Sequence, residues 1–430
     1  MVEIKEEQEK KTMCLLIGAP LKDKSKDPYP YELRGLIHTL GMEVADVICL
    51  ARIEPTPAYG IGKGKTQEIA DKAKEIFADC IVFDWEIDPS KQRNWEKLTG
   101  IPVFDRNEVI IRIFNQRAQT KEASLQVELA RLKYSLPRLS HMYGDMARQR
   151  GGAFGAKGSG ETQQELDRRQ IEDKILQIKQ ELKQVALNRE TQRKQRERTS
   201  TLSCALVGYT NAGKSSLLNA LTGADVFVED KLFATLDPTT RKLSLAEGSN
   251  ILLTDTVGFI SNLPHTLIDA FKSTLEETAL ANLLLIVVDA SDKDCIEQYK
   301  QVLKVLEEIH ADHLSQKVVL NKMDKIENNH VLISELNAQF PDAIHVSAHT
   351  HQGFEELLAF VTENLLGTLK DYSIPLERSD LVELVRKQGT IEKEEWLEDC
   401  IALKARIPGS IDETGKASTR TLSLLTPYAK

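Results

Sequence analysis

A glycine-rich segment that follows a short apolar run constrains the fold of this chain more than any other feature. The apolar run is 202–207, the segment is Gly208-Tyr-Thr-Asn-Ala-Gly-Lys-Ser215, and the amphipathic residues 216–221 come next. In a GxxxxGK[ST] pattern with these neighbours, a strand ends, a loop turns its backbone N–H groups inward, and a helix begins. The sequence therefore predicts a phosphate-binding loop at the carboxyl end of the first strand of a doubly wound α/β sheet.

This loop and a motif downstream of it predict the chemistry at the phosphates. We expect the Lys214 ammonium to reach the β- and γ-phosphates of a nucleotide and the Ser215 hydroxyl to bind Mg²⁺. Asp255 follows the apolar residues 251–253, at a strand end from which its carboxylate can reach Mg²⁺ through water. Three residues later, Gly258 can donate its backbone N–H to the γ-phosphate.

A second motif predicts which base is bound. The residues Asn321-Lys-Met-Asp324 follow another apolar run, 317–320. A carboxylate at Asp324 can accept hydrogen bonds from N1–H and from the N2 amino group of guanine, a pair of donors that adenine lacks. Small residues in Ser347-Ala-His349, after the next strand, would let the backbone approach guanine O6. The sequence therefore predicts GTP rather than ATP at this site.

A switch segment between the loop and Asp255 must bring a hydroxyl group to the magnesium ion. Phe233-Ala-Thr-Leu-Asp-Pro238 supplies Thr235, which we take as this ligand, while spacing alone leaves Thr239 and Thr240 open as rivals. Lys214, Thr235 and Gly258 are then the predicted catalytic residues.

Phe259 stands directly after Gly258, where Ras-like switches carry a glutamine that orients the attacking water. A phenyl ring cannot orient water, and the sequence assigns no arginine finger. We therefore expect slow intrinsic hydrolysis of GTP, and faster hydrolysis when an external surface orders the switch loops.

Strand and helix patterns divide the chain into five parts. Residues 13–115 alternate short β-branched runs with helical patterns, as in a small parallel α/β domain. The other parts are a helical hairpin at 116–200 with a Gly-rich basic loop at 148–160, the doubly wound domain at 201–368, a small α+β domain at 371–408, and a flexible tail at 409–430.

Two sets of apolar residues at steps of three and four predict the antiparallel arms of the hairpin. Pro137 interrupts the first arm, so we expect that helix to end or kink near Leu136. The first set is Leu125, Leu129, Leu132, Leu136 and Leu139, and the second is Ile171, Ile175, Ile178, Leu182 and Val185.

The hairpin region is positive in a chain whose formal net charge is −9. Between Arg112 and Lys157, nine lysines and arginines stand against three acids, a local excess of +6. Two interpretations remain open: a solvated helix face, or a projection whose Arg148 and Arg150 contact the phosphates and sugars of folded RNA.

The remaining composition indicates the compartment. Six cysteines lie far apart without a CxxC pair, which favours neither a zinc site nor a disulfide framework. The charged residues 1–11 do not resemble a signal peptide, and no apolar run approaches the roughly 18 residues of a membrane span. We therefore expect a soluble cytoplasmic protein without a membrane span, and we take it to be a monomer.

Together these motifs resemble those of the HflX family of GTPases, within the Obg/HflX superfamily. The resemblance covers residues 13–366, and its most specific marks lie outside the nucleotide motifs. They are Tyr59-Gly-Ile-Gly-Lys-Gly-Lys65, Gln116-Arg-Ala-Gln-Thr-Lys-Glu122, Leu125-Gln-Val-Glu-Leu-Ala-Arg-Leu-Lys-Tyr134, Gly158-Ser-Gly-Glu-Thr-Gln163 with Asp167-Arg-Arg169, and Phe233-Ala-Thr-Leu-Asp-Pro238. The loop at 151–158 departs from the family pattern.

The resemblance implies a Mg²⁺-dependent P-loop GTPase with Mg²⁺ on Ser215 and Thr235. It also implies binding to the large ribosomal subunit and its rRNA, with the hairpin directed toward the peptidyl transferase centre, and the splitting or rescue of stalled ribosomes. The implied nucleotide-binding residues are Gly208, Tyr209, Thr210, Asn211, Ala212, Gly213, Lys214, Ser215, Ser216, Phe233, Ala234, Thr235, Leu236, Asp237, Asp255, Thr256, Val257, Gly258, Asn321, Lys322, Met323, Asp324, Ser347, Ala348 and His349.

One segment of the first domain leaves an alternative open. Gly60-Ile-Gly-Lys-Gly-Lys65 resembles an anion-binding turn but is neither a P-loop nor a GxGxxG motif, so it is interpreted either as a tight structural turn or as an ATP site. With ATP bound there, the chain would be an ATP-dependent RNA-remodelling protein whose GTP site is regulatory. A GTP-dependent scaffold for a protein partner is the third function that the sequence allows.

Overall fold

The structure is a computed structural model that describes residues 11–20, 27–53, 56–142, 159–198, 202–223, 232–233, 235–245, 249–261, 278–407 and 424–429. Contacts group these residues into two units. The first consists of the described residues of Met1–Gln192 and Glu229–Asp237, and the second of those of Arg193–Val228, Pro238–Ser261 and Thr274–Lys430.

A four-stranded parallel sheet with helices between its strands opens the first unit. Its elements are β1 (Met13–Gly18), α1 (Tyr31–Thr39), β2 (Glu43–Cys49), α2 (Lys63–Glu75), β3 (Cys80–Phe83), α3 (Pro89–Thr99), β4 (Val103–Asp105) and α4 (Arg106–Arg117). The strand order is β2-β1-β3-β4. Strands β1 and β3 are buried along nearly their whole length, as expected for central strands of a parallel sheet. The Asp105 carboxylate accepts a hydrogen bond from Glu108 N and so caps α4.

Two long helices, α5 (Lys121–Met142) and α6 (Ser159–Arg198), form the predicted hairpin. The ion pairs Lys174–Glu128 and Lys121–Glu181, at 2.7 and 3.6 Å, show that the helices are antiparallel. Seven of the ten predicted seam residues pack together: Leu129, Leu132 and Ile178 are buried, with Leu125, Ile171, Ile175 and Leu182 against them.

Of the two outcomes expected at Pro137, an end or a kink of the helix, the end does not occur, because α5 continues to Met142. A proline removes one backbone donor. Beyond it, the guanidinium group of Arg138 lies over the ring of Tyr134, 3.4 Å from its centroid, and donates to the Tyr134 carbonyl oxygen at 3.0 Å. These contacts hold the turn that contains Pro137.

In the described part of the chain, four of the nine basic residues counted between Arg112 and Lys157 form ion pairs, and three of the four acidic partners lie outside the counted segment. The pairs are Arg112–Glu108 at 2.7 Å, Lys121–Glu181 at 3.6 Å, Arg131–Glu128 at 3.2 Å and Arg138–Asp105 at 3.0 Å. Glu108 and Asp105 come from the preceding α/β part of the first unit and Glu181 from the second arm, so the described part of this region is less positive than the count indicates. Arg148, Arg150 and Lys157 lie outside the described residues.

The second unit contains a six-stranded, mostly parallel sheet. Its elements are β5 (Ser203–Gly208), α7 (Lys214–Thr222), β6 (Thr239–Ser244), β7 (Asn250–Asp255), β8 (Leu283–Asp289), α8 (Cys295–Glu308), β9 (Gln316–Asn321), α9 (His330–Gln339), β10 (Ile344–His345) and α10 (Phe354–Leu366). The strand order is β10-β9-β8-β5-β7-β6, and only β6 pairs antiparallel. The phosphate loop, the base motif and Asp255 thus all lie at carboxyl ends of parallel strands of one sheet, β5, β9 and β7. Ligands of such sheets bind at this edge.

A small antiparallel sheet follows α10 in the chain. It consists of β11 (Leu369–Pro375), β12 (Thr390–Trp396) and β13 (Cys400–Arg406) in the order β11-β13-β12, with α11 (Ser379–Gln388) packed against it. The predicted fold class is therefore confirmed. Among the helices that the structure describes, none combines the length and the apolar character needed to cross a membrane.

Phe77 has a left-handed backbone conformation that is unfavourable for a residue with a side chain, and this permits a stability prediction. It follows α2 with φ +51° while its side chain is 87% exposed. The bonds Phe77 N–Lys74 O and Ala78 N–Ala73 O define the helix end at which glycine is preferred. We expect Phe77→Gly to raise the free energy of unfolding by about 0.5–1 kcal/mol, because a left-handed residue with a Cβ costs about 1 kcal/mol. Chemical denaturation measures this, and Phe77→Ala, which keeps the Cβ, should give no comparable gain.

Candidate nucleotide-binding site

The predicted phosphate loop, Gly208–Ser215, connects the end of β5 to the start of α7. Gly213 has φ +90°, and a Cβ built there would lie 2.3 Å from Asn321 Nδ2, so only glycine fits. The Asn321 amide donates to Ala212 O at 2.9 Å. The base motif therefore supports the phosphate loop directly, and Ser216 lies in the first turn of α7.

Lys214 is buried, and its ammonium group contacts the backbone of the phosphate loop. Nζ donates to the carbonyl oxygens of Gly208 at 3.2 Å and Tyr209 at 2.8 Å. Burial lowers the pKa of Lys214 to about 8, while the charge of Asp255 acts in the opposite direction. A phosphate group close to Nζ would restore the preference for the ammonium form.

Ser215 and Asp255 bring two hard oxygen ligands together. The Ser215 hydroxyl donates to Asp255 Oδ2 at 2.6 Å, and the Asp255 side chain is fully buried at the end of β7. A hydroxyl and a carboxylate beside a phosphate-binding loop match the oxygen ligands that Mg²⁺ prefers, with the phosphates and waters completing its octahedron. The residues present therefore fit a magnesium ion.

The base motif is held by the segment that follows β10. Asn321 Oδ1 accepts from Ala348 N at 3.1 Å, and the Ser347 hydroxyl donates to Asp324 Oδ1 at 2.6 Å. Ser347 is buried, whereas His349 is exposed. The Ser347 hydroxyl thereby holds Asp324 through Oδ1, and the carboxylate can still accept further hydrogen bonds from a base.

Lys322 spans from the base motif to the phosphate loop. Its backbone is left-handed, with φ +64°, and Nζ donates to Asn211 O at 2.8 Å. Nζ also forms an ion pair with Asp289 Oδ2 at 2.7 Å, and Asp289 Oδ1 accepts from the hydroxyl group and backbone N–H of Ser291. Asp289, which we did not predict from sequence, thus orients Lys322. In the sequence, Asp289 was marked only as a carboxylate at the end of an apolar run that precedes the base motif.

The segment after Asp255 directs Phe259 inward. Thr256 is buried, and its hydroxyl donates to Leu206 O at 2.7 Å. Val257 and Phe259 are buried as well, and only 2% of Phe259 is exposed. The ring is therefore a core side chain, and the site has no side chain at this position that could orient water.

The predicted switch residues group with the first unit. Phe233 is buried edge-on against Phe114 of α4, with ring centroids 4.6 Å apart. Asp237 accepts from the backbone N–H groups of Gln119 and Thr120 at 3.1 and 3.2 Å, and from the Thr120 hydroxyl at 2.5 Å. Because Thr120 Oγ1 also accepts from Ala123 N at 3.1 Å, this carboxylate completes the N-terminal cap of α5. Motifs alone gave no signal for this contact.

Thr235 lies between these two anchored residues and remains our prediction for the magnesium ligand. Its rivals lie in β6, where Thr239 pairs with Asp255 and the Thr240 hydroxyl is 3.0 Å from the Thr254 hydroxyl. Regular pairing with β7 leaves these two threonines less free to move. Leu236 is buried, and Ala234 lies outside the described residues.

The Gly60–Lys65 segment forms a turn into α2. Ile61 is buried in the core of the first sheet, and the Thr66 hydroxyl donates to the Gly62 carbonyl at 3.1 Å. Lys65 pairs with Glu68 at 2.7 Å. A structural turn with a solvated ion pair accounts for these contacts, so they give no support to an ATP site.

The lowered pKa of Lys214 predicts pH-dependent nucleotide binding. A bound phosphate favours the ammonium form, so its pKa is higher in the complex than in the free protein, and binding takes up a proton above pH 8. We expect GDP affinity to be constant from pH 7 to 7.5 and to fall toward about tenfold per pH unit above pH 8. Titration calorimetry in buffers of different ionisation enthalpy measures the proton uptake. Constant affinity up to pH 9, with no uptake, would contradict this.

A doubly wound sheet with a phosphate loop after a central strand and a carboxylate in the base motif defines a P-loop guanine-nucleotide-binding protein. Matches to known families agree with this class. Residues 29–115 match "GTP-binding GTPase N-terminal", residues 117–196 match "GTP-binding GTPase Middle Region", and residues 203–322 match "50S ribosome-binding GTPase".

Known relatives specify the family. GTPase HflX of Akkermansia muciniphila is 43% identical, with 95% of this chain and 97% of the relative covered. GTPase HflX of Escherichia coli is 41% identical over 88% of this chain and 89% of the relative. A solved structure described as "crystal structure of SsGBP and GDP complex" is 25% identical and covers 82% of this chain and 98% of that chain, with a TM-score of 0.47. The chain belongs to the HflX GTPase family.

Proposed function

We propose that this protein is a ribosome-stimulated GTPase that binds the large ribosomal subunit in the cytoplasm and splits or rescues stalled ribosomes. The observation that carries the proposal is the buried Phe259 ring. A phenyl ring at this position cannot orient the attacking water, so the site would need help to hydrolyse GTP. The match of residues 203–322 to a family described as a 50S ribosome-binding GTPase supports the ribosome as the source of that help.

The side chains of the site suggest a division of tasks. Lys214 would neutralise charge on the β- and γ-phosphates, and Gly258 N–H would bind the γ-phosphate. Ser215 and Asp255 would hold Mg²⁺ directly and through water, with Thr235 as the further ligand from the switch. When bound, the ion would neutralise charge on the phosphate oxygens. Asp324 would select guanine.

Sedimentation of ribosomes tests the proposed outcome. Intact ribosomes are mixed with the protein and either GTP or a non-hydrolysable GTP analogue, then separated on a sucrose gradient. We expect free subunits to accumulate with both nucleotides, since binding would do the work and hydrolysis would release the protein. Intact ribosomes under both conditions would contradict the proposal.

GTP hydrolysis with and without purified large subunits tests the stimulation. We expect turnover to rise by at least about tenfold with large subunits, while small subunits serve as the matched control. Equal rates with and without large subunits would show that the chain supplies its own catalytic group. Replacing GTP by ATP in both experiments tests the RNA-remodelling alternative, for which neither the matched families nor the Gly60–Lys65 turn gives support.

A further inference from the structure

We propose that Tyr209 determines how strongly this protein discriminates between GDP and GTP, by fastening residues 258–261 to the phosphate loop. This inference rests on the guanine-nucleotide site of the proposed function. Tyr209 occupies the first variable position of the GxxxxGK[ST] pattern, at which the pattern accepts any residue.

Three hydrogen bonds join the two segments in register. Phe259 N donates to Gly208 O at 3.0 Å, and Thr210 N donates to Phe259 O at 2.8 Å. The third bond is the one made by a side chain: Ser261 N donates to the Tyr209 hydroxyl oxygen at 2.6 Å. Tyr209 is buried, so water does not readily replace this bond.

The fastened arrangement holds Gly258 tightly against the phosphate loop. A Cβ built on Gly258 would lie 2.8 Å from Thr210 Cα and 3.0 Å from Lys214 Nζ, both too close for a methyl group. A γ-phosphate needs room between Lys214 Nζ and the Gly258 N–H, with a hydrogen bond of about 2.8 Å to each. Residues 258–261 must therefore move away from the loop before GTP binds fully.

GDP can bind without this movement, because it ends at the β-phosphate, which the phosphate loop surrounds, and has no γ-phosphate. The free energy needed to separate the two segments thus weakens GTP binding and leaves GDP binding unchanged. Tyr209→Phe retains the ring and removes only the hydroxyl, so it lowers that cost by one hydrogen bond. A single hydrogen bond corresponds to a change of about two- to tenfold in an equilibrium constant.

The test compares affinities of the full-length protein for GDP and for the β,γ-imido analogue of GTP, with Mg²⁺, by titration calorimetry. We expect Tyr209→Phe to raise the ratio of analogue affinity to GDP affinity by about two- to tenfold. Tyr299→Phe, on α8, is the matched control and should change neither affinity. The inference would be overturned if the ratio of analogue affinity to GDP affinity were the same in Tyr209→Phe as in the unaltered protein, or lower.

A second measurement uses the unaltered protein and does not depend on how the variant folds. We expect the backbone amides of Phe259 and Ser261 to exchange with deuterium faster in the analogue complex than in the GDP complex, because the fastening bonds open. Equal or slower exchange would also overturn the inference. If neither nucleotide bound at all, the proposed function itself would fail, which is a different result.

Discussion

Asp324→Asn should lower the affinity for GTP by at least about 100-fold and create affinity for xanthosine triphosphate. The carboxylate of Asp324, fixed by the Ser347 hydroxyl, is the predicted acceptor for two guanine donors. An amide at this position offers one acceptor and would turn donors toward guanine N1–H and N2. Two lost hydrogen bonds to a charged group, at about 1.5–3 kcal/mol each, correspond to about 10²- to 10⁴-fold in affinity. Xanthine carries a carbonyl in place of the N2 amino group and can accept from the new amide.

Equilibrium binding of both nucleotides to the variant measures this exchange of specificity. The matched control is Asp342→Asn, an exposed aspartate in the same unit, which should bind GTP as the unaltered protein does. If Asp324→Asn bound GTP within a few-fold of the unaltered protein, Asp324 would not be the base-reading carboxylate. Loss of GTP binding without any gain for xanthosine triphosphate would indicate that the substitution had damaged the phosphate loop instead.

Asp105→Ala should lower the free energy of unfolding by about 3–5 kcal/mol. The Asp105 side chain is 1% exposed and accepts four hydrogen bonds. They come from Glu108 N at 2.9 Å, the Tyr134 hydroxyl at 2.9 Å, Ile87 N at 3.2 Å and Arg138 Nη2 at 3.0 Å. Alanine would leave the Arg138 charge and the Tyr134 hydroxyl without this partner in the interior, which is why the expected loss is large.

Urea denaturation of the full-length protein measures the difference. Asp88→Ala removes a carboxylate that pairs with Lys91 on the surface of the same unit, and we expect it to cost less than about 1 kcal/mol. For Asp105→Asn we expect a loss of free energy of unfolding between those of Asp88→Ala and Asp105→Ala, since asparagine retains the shape of the side chain but not the charge opposite Arg138. A similar small loss for Asp105→Ala and Asp88→Ala would mean that the buried carboxylate is not what joins α5 to the sheet.

Much of the fold follows from periodicity and local chemistry. The steps of three and four in the two seams predicted the contact between Leu129, Leu132 and Ile178, because apolar side chains so spaced share one helix face. Motifs at strand ends likewise predicted that Ser215 and Asp255, and Asn321 and the phosphate loop, lie close together. A helix end at Pro137 was expected and does not occur, since Arg138 contacts Tyr134 one turn earlier in the same helix and also donates to Asp105 outside it.

Other parts of the site depend on pairings that a linear sequence does not encode. Counting charges along 112–157 missed Asp105 and Glu181, which approach only in three dimensions. The ion pair between Asp289 and Lys322 and the bond from Ser261 to Tyr209 join separate strands and loops in the same way. Such contacts need the fold to be known, whereas the residues predicted to bind phosphate and base are marked by their spacing.

The contacts of residues 233–237 determine whether an isolated fragment of the protein can represent the whole GTPase. A fragment that begins at residue 201 would include Phe233 and Asp237 but lack Phe114 and Thr120, the groups on which these two residues rest. An aromatic ring and a carboxylate that are buried or bonded in the whole protein would then face water. Thr235, between them, would sample many more conformations. Hydrolysis rates of such a fragment would therefore describe an enzyme with a different switch.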